Sequence, residues 1–216
     1  MSRPRPGAAL ALAALLLTAA CGQPAAPPVA NEAAASTLEP ATNPASAEPA
    51  EAPKAAAMVL TPEGYGPLRI GMSLADVVTA LGPDSDPDSV GGAEPEVCDQ
   101  FRPVRAPEGL LVMVEEGRLT RISLMRGAEV ATDRSLRVGA SAAEVRAAYG
   151  SLVRAGPHKY QDAPAEYLTV WTRGGAGDEA IAPPDSRGLR YEIGQDGKVA
   201  SIHAGGPSIQ YVEGCL

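Results

Sequence analysis

The chain of 216 residues has only three cysteines, two histidines, one tryptophan and one phenylalanine, and its 18 Lys and Arg are outnumbered by 26 Asp and Glu. Each scarcity closes off a class of function. Cys21, Cys98 and Cys215 contain no Cys-x-x-Cys pair, and with only His158 and His203 to join them they match no zinc or redox motif. Nothing in the chain points to a cofactor. A net charge of −8, with no cluster of Lys or Arg after the first five residues, argues against a nucleic-acid partner, because phosphate binding needs clustered cations. No apolar run reaches the roughly 20 residues of a transmembrane helix. Outside one such run, the first quarter of the chain has too few large apolar residues to join a core, so the folded part is smaller than the chain.

That one run carries an address. Met1-Ser-Arg3-Pro-Arg5 is a positive leader, and Ala8 to Ala20 is an uncharged Ala/Leu stretch of signal-peptide length ending at Leu17-Thr18-Ala19-Ala20-Cys21. The ending resembles the lipobox of bacterial lipoproteins, with Thr18 where Leu is commoner. By that resemblance residues 1–20 are a signal peptide cut before Cys21, whose thiol and new amino group are acylated. Three acyl chains, each worth ~0.8 kcal/mol per buried methylene, anchor firmly. In such lipoproteins an Asp after the cysteine retains the protein at the inner membrane. Gly22 stands there, so the resemblance implies the outer membrane, on its periplasmic side. Residues 21–57 continue in Ala, Pro, Glu, Ser and Asn, a composition that cannot offset chain entropy by burial. It predicts a disordered tether of ~35 residues, spanning up to ~100 Å where its prolines hold it extended.

The remainder is organised around a segment used twice, Leu68-Arg-Ile-Gly71-Met-Ser73-Leu-Ala-Asp76-Val to Gly82 and Leu136-Arg-Val-Gly139-Ala-Ser141-Ala-Ala-Glu144-Val to Gly150. Each copy reads as an extended lead-in, a glycine turn and a helix. Ser73 or Ser141 caps that helix, and Asp76 or Glu144 three residues on completes a capping box. Leu74, Val77, Val78 and Leu81, and Ala142, Val145, Ala148 and Tyr149, fall at helical spacing and predict one buried face each. Hairpins follow both copies. Residues 109–125 turn at Glu115-Glu116-Gly117-Arg118, and residues 188–203 turn at Asp196-Gly197, the strongest two-residue hairpin signal in the chain. Tyr167 to Trp171 alternates as a strand, and Ile209 to Val212 is expected to close the domain as another. The expected class is α+β: two tandem repeats with a period of about 70 residues, residues 58–130 and 131–216, each a short helical element plus antiparallel strands in one folded unit.

This order, with Gly-x-Ser-x-x-[Asp/Glu]-Val opening both helices, resembles the tandem-repeat fold of the β-lactamase-inhibitor protein and the SmpA/OmlA outer-membrane lipoproteins. The resemblance implies a non-catalytic binder that uses a curved sheet as its contact surface, with an envelope protein as partner. The alternatives are an inhibitor of a periplasmic or external hydrolase and a small serine hydrolase. Gly71-Met-Ser73 and Gly139-Ala-Ser141 do look faintly like a nucleophile elbow, but a catalytic serine has no reason to occur in both copies of a repeat, whereas a helix cap does. His158 in a turn and His203 near a strand end are read as structural. Asp84, Asp86 and Asp88 alternate like the opening of a calcium loop, yet Ser89 and Pro95 stand where its glycine and glutamate belong, so a solvated acidic loop is the reading.

Two readings concern the exported domain. With Cys21 acylated, Cys98 and Cys215 are left to form a disulfide, the default for paired cysteines on the oxidising side of a membrane. Period-2 geometry puts Tyr167, Thr169 and Trp171 on one face of a strand and Leu168 and Val170 on the other. If the latter pair faces the helices, the Tyr-Thr-Trp row lies on the outer face and is the candidate binding surface; the opposite assignment puts Trp171 in the core. For the anchor, Cys21→Ala should release the protein from membranes after a high-salt wash, checked by fractionation. A variant that still sediments would refute the address.

Overall fold

A computed structural model describes residues 58–89, 91–175 and 181–215. The signal peptide, Cys21 and the tether lie outside the described residues. The structure is mainly β. Three two-residue strands, β1 (Leu60–Thr61), β2 (Gly64–Tyr65) and β3 (Leu68–Arg69), form a small antiparallel sheet. A seven-stranded antiparallel sheet follows. Its strands are β4 (Cys98–Phe101), β5 (Leu110–Glu115), β6 (Arg118–Leu124), β7 (Arg154–Pro157), β8 (Glu166–Arg173), β9 (Arg187–Ile193) and β10 (Val199–Gly205). Their spatial order is β4-β5-β6-β10-β9-β8-β7, so two meanders meet where β6 pairs with β10.

Two eight-residue helices, α1 (Leu74–Leu81) and α2 (Ala142–Tyr149), begin where the serine caps place them. In α2 the capping box is complete: Glu144 N donates to Ser141 Oγ at 3.2 Å, and Glu144 Oε2 accepts from Ser141 N at 2.7 Å. In α1 only half forms, Asp76 N to Ser73 Oγ at 3.2 Å, while the Asp76 carboxylate takes the serine hydroxyl at 2.6 Å. An aspartate is one methylene too short to reach back to the cap's own N–H.

Both helix starts dock onto a hairpin in the same way. Gly71 N donates to Leu119 O, Leu119 N to Met72 O and Leu74 N to Gly117 O; in the second half Gly139 N donates to Val199 O, Val199 N to Ala140 O and Ala142 N to Gly197 O. The turn glycines thus supply carbonyl acceptors for amides that the first helical turn leaves without partners. The two turns differ. Glu116 and Gly117 both have positive φ, 48° and 72°, as a two-residue I′ turn demands. At Asp196-Gly197 only the glycine does, with φ of 71°. Gly194 N bonds Lys198 O, and Gly197 N bonds Gly194 O. This is a three-residue loop with a left-handed glycine, not the two-residue turn expected from the dipeptide.

The core lies between the helices with the small sheet and one face of the large sheet. Val77, Val145, Leu60 and Leu68 pack there with Val112, Ile122, Leu168, Tyr191 and Ile202, all fully buried. Tyr149 from α2 reaches the Tyr191 hydroxyl at 2.9 Å. Leu74, expected on the buried face, is 40% exposed at the first position of α1, whose buried side is Val77 and Leu81. The expected closing strand at Ile209 to Val212 is instead a 3-10 turn, Pro207–Gln210. Pro207 sets φ for that turn, and Gly206 N bonds Thr120 O at 3.1 Å before the chain reverses.

Ser141→Ala should cost roughly 0.5–2 kcal/mol through loss of the cap. Ser73→Ala should cost less, because its box is incomplete. Urea unfolding of the two variants checks the order.

Candidate functional site on the outer sheet face

Leu168 and Val170 are 0% and 1% exposed against the core, so Tyr167, Thr169 and Trp171 occupy the opposite face of β8. Cross-strand pairing places them in rows. One runs Gln100, Met113, Arg121, Gly205, Gly188, Trp171, and the next runs Leu111, Ser123, His203, Arg190, Thr169, Arg154. A third joins Ser201, Glu192 and Tyr167. Polar residues at alternate positions of β6, β9 and β10 therefore converge on one surface.

The aromatic row is not a set of free anchors. Tyr167 is 7% exposed: His158 stacks on it at 4.8 Å between centroids and 17° between planes, and the Arg190 guanidinium sits 3.7 Å from its centroid. Stacking and cation attraction explain why a tyrosine on the outer face is nonetheless covered. Burial raises the Tyr167 phenol above its ordinary pKa. Thr169 and Trp171 are half-buried. The indole lies across Gly188, its partner on β9, where a Cβ would come within 2.7 Å of Cε3.

Beside Tyr167 runs a chain of hydrogen bonds. His158 Nε2 meets Glu192 Oε1 at 3.0 Å, Ser201 Oγ donates to Glu192 Oε2 at 2.9 Å, and His203 contacts Ser201 Oγ through Nε2 at 3.0 Å and Ser123 Oγ through Nδ1 at 2.8 Å. With the Ser201 proton committed to Glu192, a consistent assignment puts the His203 proton on Nε2 and lets Nδ1 accept from Ser123. The neighbouring His203, then His158 and Ser201, hold the Glu192 carboxyl down at about 2 against the opposing effect of burial. Burial pushes His203 down to about 4, aided by Arg121 and Arg190 and opposed by Glu192.

This Ser123–His203 pair has the polarity of a nucleophile and base, but its surroundings do not suit catalysis. Ser123 is 1% exposed in mid-strand, and a histidine with a pKa near 4 is a weak base at neutral pH. The hydroxyls of Ser73 and Ser141 are engaged in their caps. No family model, curated protein or solved structure matches the chain.

Arg121, buried, and Arg190, half-buried, complete the face. Arg121 Nη1 donates to Ser208 O at 3.1 Å and Tyr211 O at 3.0 Å, and its Nη2 to Gln100 Oε1 at 2.8 Å. Burial lowers its pKa to about 10, with Glu115 opposing and Arg190 adding to the fall. Arg190 Nη1 donates to Gln210 O at 2.8 Å and Ile209 O at 3.5 Å. They hold the segment after β10 across the sheet, and a disulfide between Cys215 and Cys98, with Cα atoms 5.4 Å apart, ties its end to β4. The acidic loop gathers no metal site: Asp84 Oδ1 accepts from Asp86 N at 3.1 Å and Arg102 N at 3.3 Å. Among the described residues no group of three His, Cys, Asp or Glu could hold a metal ion.

Sequence reasoning missed Arg121, Arg190, Glu192, Ser123 and Ser201. Their signal was available, since Arg121 and Ser123, Arg190 and Glu192, and Ser201 and His203 are polar pairs at even spacing inside apolar strands.

His203 and Glu192 make stability fall on acidification. Since the folded pKa of His203, about 4, lies below its ordinary 6.5, the unfolded chain binds more protons between those values and stability drops as pH falls through them. Glu192, about 2 against 4.5, adds a loss from 4.5 downward. His203→Gln should abolish the part between pH 6.5 and 4, on the order of a few kcal/mol, and shrink the lower part, because His203 is the first of the groups that hold the Glu192 carboxyl down, as read by urea midpoints across pH.

Proposed function

We propose that the chain is a lipid-anchored cell-envelope protein, held by Cys21 on the periplasmic side of the outer membrane, with a non-catalytic role in binding another envelope protein. One observation carries the binding role. The ionisable groups in the middle of the outer sheet face are already bonded to one another or to the backbone, whereas large side chains at its rim are free. Tyr160 is 62% exposed, Val212 44% and Tyr211 37%, around a groove of about 510 Å³ that Lys159, Glu115 and the disulfide also line. Such a face has groups to contact with and no group poised to react. Tyrosine is among the residues most enriched at contact hot spots.

The address rests on the leader and the lipobox-like stretch. The halves 58–130 and 131–216 are read as tandem repeats of the kind that the β-lactamase-inhibitor protein and the SmpA/OmlA lipoproteins resemble. The matching bonds from Gly71, Leu74, Gly139 and Ala142 to their hairpins support that reading.

Crosslinking in intact cells, followed by identification of what is attached, tests the role. A recurrent envelope protein is expected. Trp171→Ala and Tyr160→Ala should each weaken that crosslink while lowering the melting temperature little, because neither ring belongs to the main core. Recovery of one bound hydrolase would favour an inhibitor, and turnover of a generic ester by the purified protein would overturn the proposal.

A further inference from the structure

We propose that the groove at the sheet rim receives an extended segment of a partner protein that presents a cationic side chain, arginine above all, with a large apolar side chain two residues away. This rests on the reading of the rim as a binding surface, and it names the chemistry of what binds there.

Two depressions adjoin at the rim. The groove of about 510 Å³ lined by Tyr160 and Val212 shares Glu115 and Tyr211 with a second hollow of about 400 Å³. The second hollow is walled mainly by apolar residues, among them Ile70, Leu119, Ala182, Pro184, Pro207 and Ile181, the last 63% exposed. Its volume falls in the range of about 300–1,000 Å³ found for binding pockets. One segment walls both depressions, with Pro207 and Ser208 in the hollow, Tyr211 in both and Val212 to Cys215 in the groove. That segment is fixed. Ser208 and Ile209 are 2% and 0% exposed, Gln210 Oε1 accepts from Ala182 N at 2.8 Å, Arg121 and Arg190 bond its carbonyls, and the disulfide holds its end. A wall that is already ordered lowers the entropy lost on binding.

Charge selects the guest. Glu115 and Glu213 line the groove against the single cation Lys159, and among the described residues none of the three forms an ion pair. Arg118 stands opposite Glu115 in the β5–β6 register, yet its guanidinium donates to Gly71 O at 3.2 Å. Two carboxylates without a bonded cation, beside the exposed rings of Tyr160 and Tyr211, suit a guanidinium, which forks onto carboxylates and stacks on aromatic faces. The same sheet face already holds one such pair, Arg190 over Tyr167 at 3.7 Å. An anionic guest would meet like charge instead. Residues two apart in an extended chain point the same way, so one strand-like segment delivers a cation to the groove and an apolar group to the hollow.

The probe is the peptide acetyl-Thr-Arg-Thr-Leu-Thr-amide, titrated into the isotopically labelled full chain in a mild detergent and followed by amide chemical shifts. Saturable shifts are expected at Glu115, Leu119, Ile181 and Tyr211. Replacing the peptide's Arg by Glu, or its Leu by Ala, should weaken binding about tenfold or more. The double variant Glu115→Gln, Glu213→Gln should weaken the Arg peptide by a similar factor and keep the melting temperature, since neither carboxylate has an ion pair to lose. The absence of saturable shifts, equal affinity for the Arg and Glu peptides, or shifts confined to another surface overturns the proposal. So do shifts of the same residues on raising the protein concentration alone, which would assign the groove to a second copy of the chain. Peptide failure beside a recurrent envelope crosslink sinks only the chemistry named here, whereas selective peptide binding without any such crosslink sinks the cellular role.

Discussion

The pairing of β6 with β10 is the constraint on which the rest of this molecule depends. Residues 121–124 and 202–205 are the seam through which two meanders become one seven-stranded sheet, and each seam strand belongs to a hairpin that also docks a helix. Without the seam each half would present a small sheet with one helix and an uncovered edge, too little apolar surface to fold against. With it, Ile122, Leu124, Ile202 and Ala204 form the centre of a continuous apolar layer. Fixing that layer on one face also fixes everything on the other, because a strand's side chains alternate.

What the other face received is polar. Ser123, Glu192, Ser201 and His203 are poor residues to bury singly, and each is tolerated because a neighbour supplies its bond, while Arg121 bonds Gln100 and main-chain carbonyls. The consequence is a bonded network in which Arg121, Glu192 and His203 lie far from their solution pKa values. Such shifts often mark active sites. Here the same shifts follow from burial, for His203 and Arg121, and from hydrogen bonding, for Glu192, and the serine beside the histidine is sealed. The distinction between a catalytic dyad and a structural one is drawn by access and basicity, not by the 2.8 Å between Ser123 and His203.

The segment after β10 completes the face by lending main-chain carbonyls to Arg121 and Arg190. Donors aimed at carbonyls read backbone and not side chains. The middle of the face is thus occupied by its own bonds, while Tyr160, Tyr211 and Val212 stand exposed at its rim.

Much of the helical architecture was legible in the sequence because it rests on local chemistry. Ser73, Ser141 and the glycines before them state where each helix begins whatever surrounds them, and the alternation at Leu168 and Val170 states which residues share a side. Hairpin details were less legible: Asp196-Gly197 suits two turns, and the choice fell to the bond between Gly194 and Lys198. Of the site, the disulfide partners and the outer placement of Tyr167 could be read, but the burial of Tyr167 could not. It depends on His158, just after β7, and on Arg190 of β9. The sequence by itself determined the caps, the strand periodicity and the composition of the leader, each set by neighbours a few residues apart. Only the tertiary structure decided that Arg121, Glu192 and His203 share a surface, and that the last residues cross it instead of extending it. Those outcomes are governed by the β6–β10 register between residues some 80 positions apart, which no local pattern records.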